Sequence, residues 1–91
     1  MDDEQEIGRA WIENRLREIA NARGLNIELA CSTLPTVPEK WIFVAKTAKH
    51  VERLEVSGET LDDLANDAGE QARMDVTLRE LVGRLRHRPT T

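Results

Sequence analysis

"HVERLEVSGETLDDLANDA", residues 50–68, decides the fold. Its first half alternates, with Glu52, Leu54 and Val56 on one side of an extended chain and Arg53 and Glu55 on the other. That two-residue period marks a half-buried strand. The overlapping "KTAKHVERLE" (46–55) also has good helix propensity and carries no Gly or Asn turn signal, so strand and helix compete there. The alternation and the "VSG" that follows favour the strand. Ser57 and Gly58 end it, Thr60 is placed to cap a helix, and Asp62 and Asp63 fall in the first turn, where amides lack partners and the dipole favours acids. Leu61, Leu64, Ala65, Ala68 and Ala72 then recur at helical spacing.

Upstream, "LNIELAC" (25–31) sets Leu25, Ile27, Leu29 and Cys31 against Asn26, Glu28 and Ala30, a second half-buried strand. "STLPTVPEK" (32–40) contains Pro35 and Pro38 and reads as a loop. "WIFVAKT" (41–47) is apolar on both sides, Trp41, Phe43 and Ala45 against Ile42 and Val44, as a strand in the middle of a sheet would be. Residues 5–23 form an amphipathic helix with Ile12, Leu16, Ile19 and Ala20 on its apolar side, widened by Trp11 and Ala22. Asp2, Asp3 and Glu4 suit the positive end of its dipole and Arg23 the negative end. Gly24 suits a left-handed residue just past it, with Leu25 folding back on the last turn.

Downstream, Leu78, Leu81, Val82 and Leu85 make a second stripe, rotated from the first, and Thr77 and Glu80 form a T-x-x-E capping box ahead of it. A break or kink near 74–77 is expected, giving a short helix over 78–87; the alternative is one continuous helix with a rotated stripe. The expected architecture is α+β: a three-stranded antiparallel sheet with an N-terminal helix and one or two C-terminal helices, in the order αβββα(α). One domain spans 1–88, with a disordered tail at 89–91.

Composition narrows the function classes. The chain has 91 residues, 40% of them hydrophobic and 33% charged, so its core must come mainly from Leu, Ile, Val and Ala. The single cysteine, Cys31, excludes an intrachain disulfide and fits a reducing compartment. No apolar run approaches about 18 residues, and the opening MDDEQEIGRA lacks an export pattern. A cytoplasmic protein with no membrane partner is expected. The net charge of −4 argues against a dedicated nucleic-acid binder, although "RELVGRLRHR" (79–88) is basic.

Little here suggests catalysis. Cys31 and His50 could be paired as nucleophile and base, with no local motif around either; a small core thiol and a turn histidine explain them better. Cys31, His50 and His87 lack the close spacing of metal ligands, and the five glycines form no phosphate-cradling loop. No enzyme activity, metal or cofactor is expected.

Binding fits better. Asp63, Asp67 and Glu70 line one side of the acidic helix. The doubly apolar middle strand leaves one sheet face either for a helix or for another chain, a second copy or a different protein, with Trp41 and Phe43 or Ile42 and Val44 as anchors. The alternative is a nucleic-acid-binding module using Arg79, Arg84, Arg86 and Arg88.

Two family resemblances bear on this. The order α-β-β-β-α over residues 5–73 resembles the double-stranded-RNA-binding domain, but the positions matching that family's phosphate-bridging lysines are Thr60, Leu61, Asp62 and Asp63, whose acids repel phosphate. In "VERLEVSGETLDDLANDA" (51–68), Gly58, Thr60, Leu61, Asp62, Asp63 and Leu64 resemble the strand-to-helix junction of HicB-like antitoxin domains. That resemblance implies a small bacterial or phage domain that occupies and neutralises a partner protein. The expectation is thus a small non-enzymatic protein-interaction domain, antitoxin-like or inhibitor-like, holding its partner through Asp63, Asp67, Glu70 and Trp41.

Overall fold

The computed structural model describes residues 3–34 and 39–86. The proline loop at Pro35–Pro38 and the tail at 89–91 lie outside the described residues. The elements are α1 (Asp3–Ala22), β1 (Glu28–Leu34), β2 (Lys40–Lys46), β3 (Val51–Ser57), α2 (Gly58–Asn66) and α3 (Ala68–Arg86). This is the expected α+β order with two C-terminal helices.

Helix α1 ends as its sequence dictates. Gly24 has φ +71, Leu25 N–H donates to the Ala20 carbonyl at 2.8 Å, and Gly24 N–H to Asn21 at 3.0 Å. This paired closure satisfies the last carbonyls and is open to a residue without a Cβ. The chain turns there and enters the sheet.

The strands pair antiparallel in the order β1-β2-β3, so the segment at 51–57 is a strand and the helix alternative is excluded. Cys31, Phe43 and Leu54 stand side by side across the sheet, as do Ala30, Val44 and Arg53, and Ser32, Ile42 and Glu55. β1 runs three residues later than the alternation alone suggested, through Leu34, because pairing with Lys40 and Trp41 extends it. The β2–β3 turn is held by Thr47, whose N–H donates to the His50 carbonyl at 2.9 Å. Its Oγ1 accepts from the amides of Lys49 and His50 at 3.2 and 3.1 Å. A threonine hydroxyl thus replaces the missing Gly or Asn signal.

One core holds the layers together. Ile12, Leu16, Ile19 and Ala20 of α1 meet Phe43 and Ala45 of β2, Val56 of β3, Leu61 and Leu64 of α2, and Leu78, Leu81, Val82 and Leu85 of α3. Leu29, Cys31, Trp41 and Leu54 pack partly buried against it. Every sheet residue in that group lies on the Phe43 side, so all three helices cover the same face.

Two junctions differ from expectation. The cap of α2 is Ser57, not Thr60: the helix starts at Gly58, and Ser57 Oγ accepts from the Thr60 amide at 3.2 Å. The strand therefore runs directly into the helix without a spacer. The second break lies at Asp67 rather than at 74–77. Asp67 is extended (φ −115, ψ 109) and its N–H still closes α2 on the Asp63 carbonyl. Its Oδ1 accepts from Gly69 N–H at 2.8 Å and Glu70 N–H at 3.3 Å, starting α3. Asp67 thus caps α3 through its side chain, whereas Thr77 lies inside α3 with its hydroxyl bonded back to the Arg73 carbonyl. Restarting the helix at Ala68 resets its phase, which leaves Ala68 and Ala72 exposed and buries Leu78, Leu81, Val82 and Leu85.

Candidate functional site

Strand alternation places Ala30, Ser32, Ile42, Val44, Arg53 and Glu55 together on the face that no described helix covers. Ile42 is only 7% exposed although it is not part of the core, because it sits in the middle strand between Ser32 and Glu55. Val44 is half-buried beside it, while Leu34 (36% exposed) and Val51 (58% exposed) mark opposite corners of the same face. Charges frame the apolar centre: Arg53 and Glu55 along β3, and Lys46 with Glu28 at one end, 3.7 Å apart.

The acidic group at the α2–α3 junction does converge. Glu70 bonds to the Arg73 guanidinium, and Asp67 and Asp63 lie close enough to join it in raising the Arg73 pKa. Asp63 and Asp67 are exposed and Glu70 half-buried. Two of the three nevertheless have internal duties, Asp67 as the cap of α3 and Glu70 in its ion pair. Trp41 lies on the helix-covered side, packed on the core, with its indole Nε1 donating to Gln5 Oε1 at 3.3 Å. The structure therefore does not bring Trp41 onto one surface with Ile42 and Val44.

Among the described residues, two members of the basic group are engaged within the fold. Arg79 Nε donates to Asp75 at 2.7 Å, and Arg84 Nε to Glu52 at 2.7 Å, tying α3 to itself and to the sheet. Asp75 also accepts from Arg15 of α1. The hydrogen bond from Arg15, seconded by the one from Arg79, holds the Asp75 carboxyl below the usual carboxylate range. Nothing is described of the Arg86 side chain, and Arg88 and His87 lie outside the described residues.

Cys31 and His50 are kept apart. Four sheet rows separate them, about 13 Å at strand rise. Burial, together with Glu13, pushes the Cys31 thiol above its ordinary range, the opposite of an activated nucleophile. Among the described residues, no group of three or more His, Cys, Asp and Glu is placed to hold a metal ion. No described helix is long and apolar enough to cross a membrane. A shallow depression of about 360 Å³ lies under the β2–β3 turn, lined by Gly24, Leu25, Thr47, Lys49, His50 and Leu85. It is open to solvent, and Thr47, the polar residue at its rim with hydrogen bonds of its own, spends them on the turn.

In comparisons with known proteins, no family model, curated protein or solved structure matches this chain.

Proposed function

We propose that this is a small non-enzymatic protein-interaction domain, antitoxin-like or inhibitor-like, that works by occupying a protein partner. The observation that carries the reading is the uncovered sheet face: an aliphatic centre, Ile42 and Val44, framed by Arg53, Glu55, Lys46 and Glu28. A sheet covered on one side alone usually presents alternating polar residues on the other. Here the middle strand keeps two branched apolar residues there, and a patch with an apolar centre and polar rim is the usual anatomy of a protein interface.

On this reading the docking surface lies apart from the residues expected first. Asp67 and Glu70 stabilise α3, and Trp41 belongs to the α1 contact. Asp63 remains an exposed acid that a basic partner would meet on a separate surface. The reading is tested by immobilising the full chain, capturing proteins from an extract of its own cells, and comparing Val44→Lys with the triple variant Asp63→Lys, Asp67→Asn and Glu70→Gln. Loss of the captured protein with Val44→Lys alone, in a variant with unchanged circular dichroism, is expected. Capture that survives Val44→Lys overturns the assignment of the face.

A further inference from the structure

We infer that the uncovered sheet face is occupied by a second copy of this chain, stacked about a two-fold axis that runs along the Cys31–Phe43–Leu54 row. The inference rests on the reading of that face as a docking surface and names a second copy as its occupant, so that a different protein docking on the same face competes with the dimer.

The argument is one of self-complementarity. A closed two-fold interface presents the same patch twice, so each residue must suit its own mirror position. Stacked sheets align their strands to within about 30°, which leaves two kinds of axis in the interface plane. An axis along the strands would exchange β1 with β3 and lay Arg53 over Ala30 and Glu55 over Ser32 of the other copy. Both charges would then be covered without a partner, which is costly. An axis across the strands, along the row holding Cys31, Phe43 and Leu54, exchanges positions on either side of that row. Arg53 then lies over Glu55 of the second copy, and Glu55 over its Arg53. Val44 meets Ile42, and Ala30 meets Ser32, so branched residues fill the centre and small ones allow close approach along β1. The flanking row lays Lys46 over Lys40, at the end of the patch where Glu28 already neutralises Lys46.

Size bears on strength. Three strands of seven residues span about 14 Å by 24 Å, roughly 340 Å² per copy, well below the ~800 Å² per partner of a standard interface and in the range of weak, transient contacts. The expected dimer is weak and dissociates on dilution.

The test is light scattering of the full chain over a dilution series, at low and high salt, with Arg53→Glu, Glu55→Arg, the double variant and a one-to-one mixture of the two singles. Both side chains are exposed, so the fold should survive, checked by circular dichroism. The wild type is expected to dimerise. Each single change places like charges opposite each other and should raise the dissociation constant about tenfold or more. The double variant and the mixture restore opposite charges at both contacts and should recover the dimer. A wild type that stays monomeric at high concentration, singles that dimerise normally, or a mixture that fails to recover would each overturn the inference. If the chain is monomeric while Val44→Lys still abolishes capture, the docking face stands and only its occupant is wrong. If Val44→Lys changes neither assembly nor capture, both readings fall.

Discussion

Helix α1 crosses α2 so closely that a Cβ on Gly8 would lie 2.8 Å from the Cα and carbonyl carbon of Leu61, and nearer still to its carbonyl oxygen. The obstacle is backbone, which cannot rotate aside as a side chain can. Gly8 is therefore the point where two helices touch, and Ile12 and Leu16, one and two turns on, reach the core from the same helix.

Replacing Gly8 with Ala should destabilise the domain despite the better helix propensity of alanine. The propensity gain is at most about 1 kcal/mol, while forcing packed backbones apart costs about 1–3 kcal/mol. Urea unfolding followed by tryptophan fluorescence measures the balance. A midpoint equal to or above that of the wild type would show that the helices can separate without cost.

The cap at Asp67 separates structure from binding. Asp67→Ala removes the acceptor for the Gly69 and Glu70 amides and should cost about 1 kcal/mol. Asp67→Asn keeps an acceptor and should retain most of that stability. If both variants lose stability equally, the carboxylate charge matters more than the hydrogen bonds.

Acid should loosen the α1–α3 contact through Asp75. Its folded pKa is lowered, first by the Arg15 hydrogen bond. The stability it contributes is therefore complete above the unfolded carboxylate pKa of about 4 and is lost as pH falls through the lower folded value. Asp75→Asn should lower stability at pH 7 yet flatten the loss between neutral pH and pH 3. Denaturant titrations at the two pH values decide this, and an unchanged acid limb in the variant would place the acid sensitivity elsewhere.

The two faces of β2 should respond oppositely to truncation. Phe43 is fully buried in the core, and Phe43→Ala should cost about 3–5 kcal/mol, enough to unfold a domain of this size. Val44→Thr, on the uncovered face, should cost less than about 1 kcal/mol while weakening any association through that face. Thermal melts at low and high protein concentration distinguish the two effects.

Cys31 should be slow to react. Burial and the nearby Glu13 raise its pKa, so little thiolate forms near neutral pH. A thiol reagent should modify it more slowly than a free thiol at the same pH, and faster in denaturant. Equal rates in both conditions would contradict its packing against the core.

Most of the architecture was legible because it depends on local patterning. The alternation of Glu52, Leu54 and Val56, the two-sided apolar run at 41–45 and the stripe at Ile12, Leu16 and Ile19 each follow from which side chains must leave water. Gly24 likewise announced its own positive φ. Less legible were the junctions, where several polar residues compete for the same amides. Thr60 and Ser57 are both good caps, and the strand pairing of Ser57 with Lys40 brought the helix start forward. Asp67–Glu70 and Thr77–Glu80 carry equivalent capping spacings, and the core chose the first because it leaves Leu78, Leu81, Val82 and Leu85 on one uninterrupted helical face.

By itself, then, the sequence determined α1, β1 and β2, favoured β3 over a helix, and set the middle position of β2 and which residues share a strand face, while the fold decided the break between α2 and α3 at Asp67. Tertiary structure alone decided that α1, α2 and α3 all lie on the Phe43 side. Periodicity says which side chains seek burial but not which element buries them, and Ile42 and Val44 satisfy the pattern equally well under a helix or against another chain. It also decided that Arg84 is tied to Glu52 and Arg15 to Asp75, because such an ion pair depends on where a second residue, distant in the chain, comes to rest, whereas Asp67, Glu70 and Arg79 find their partners within one turn.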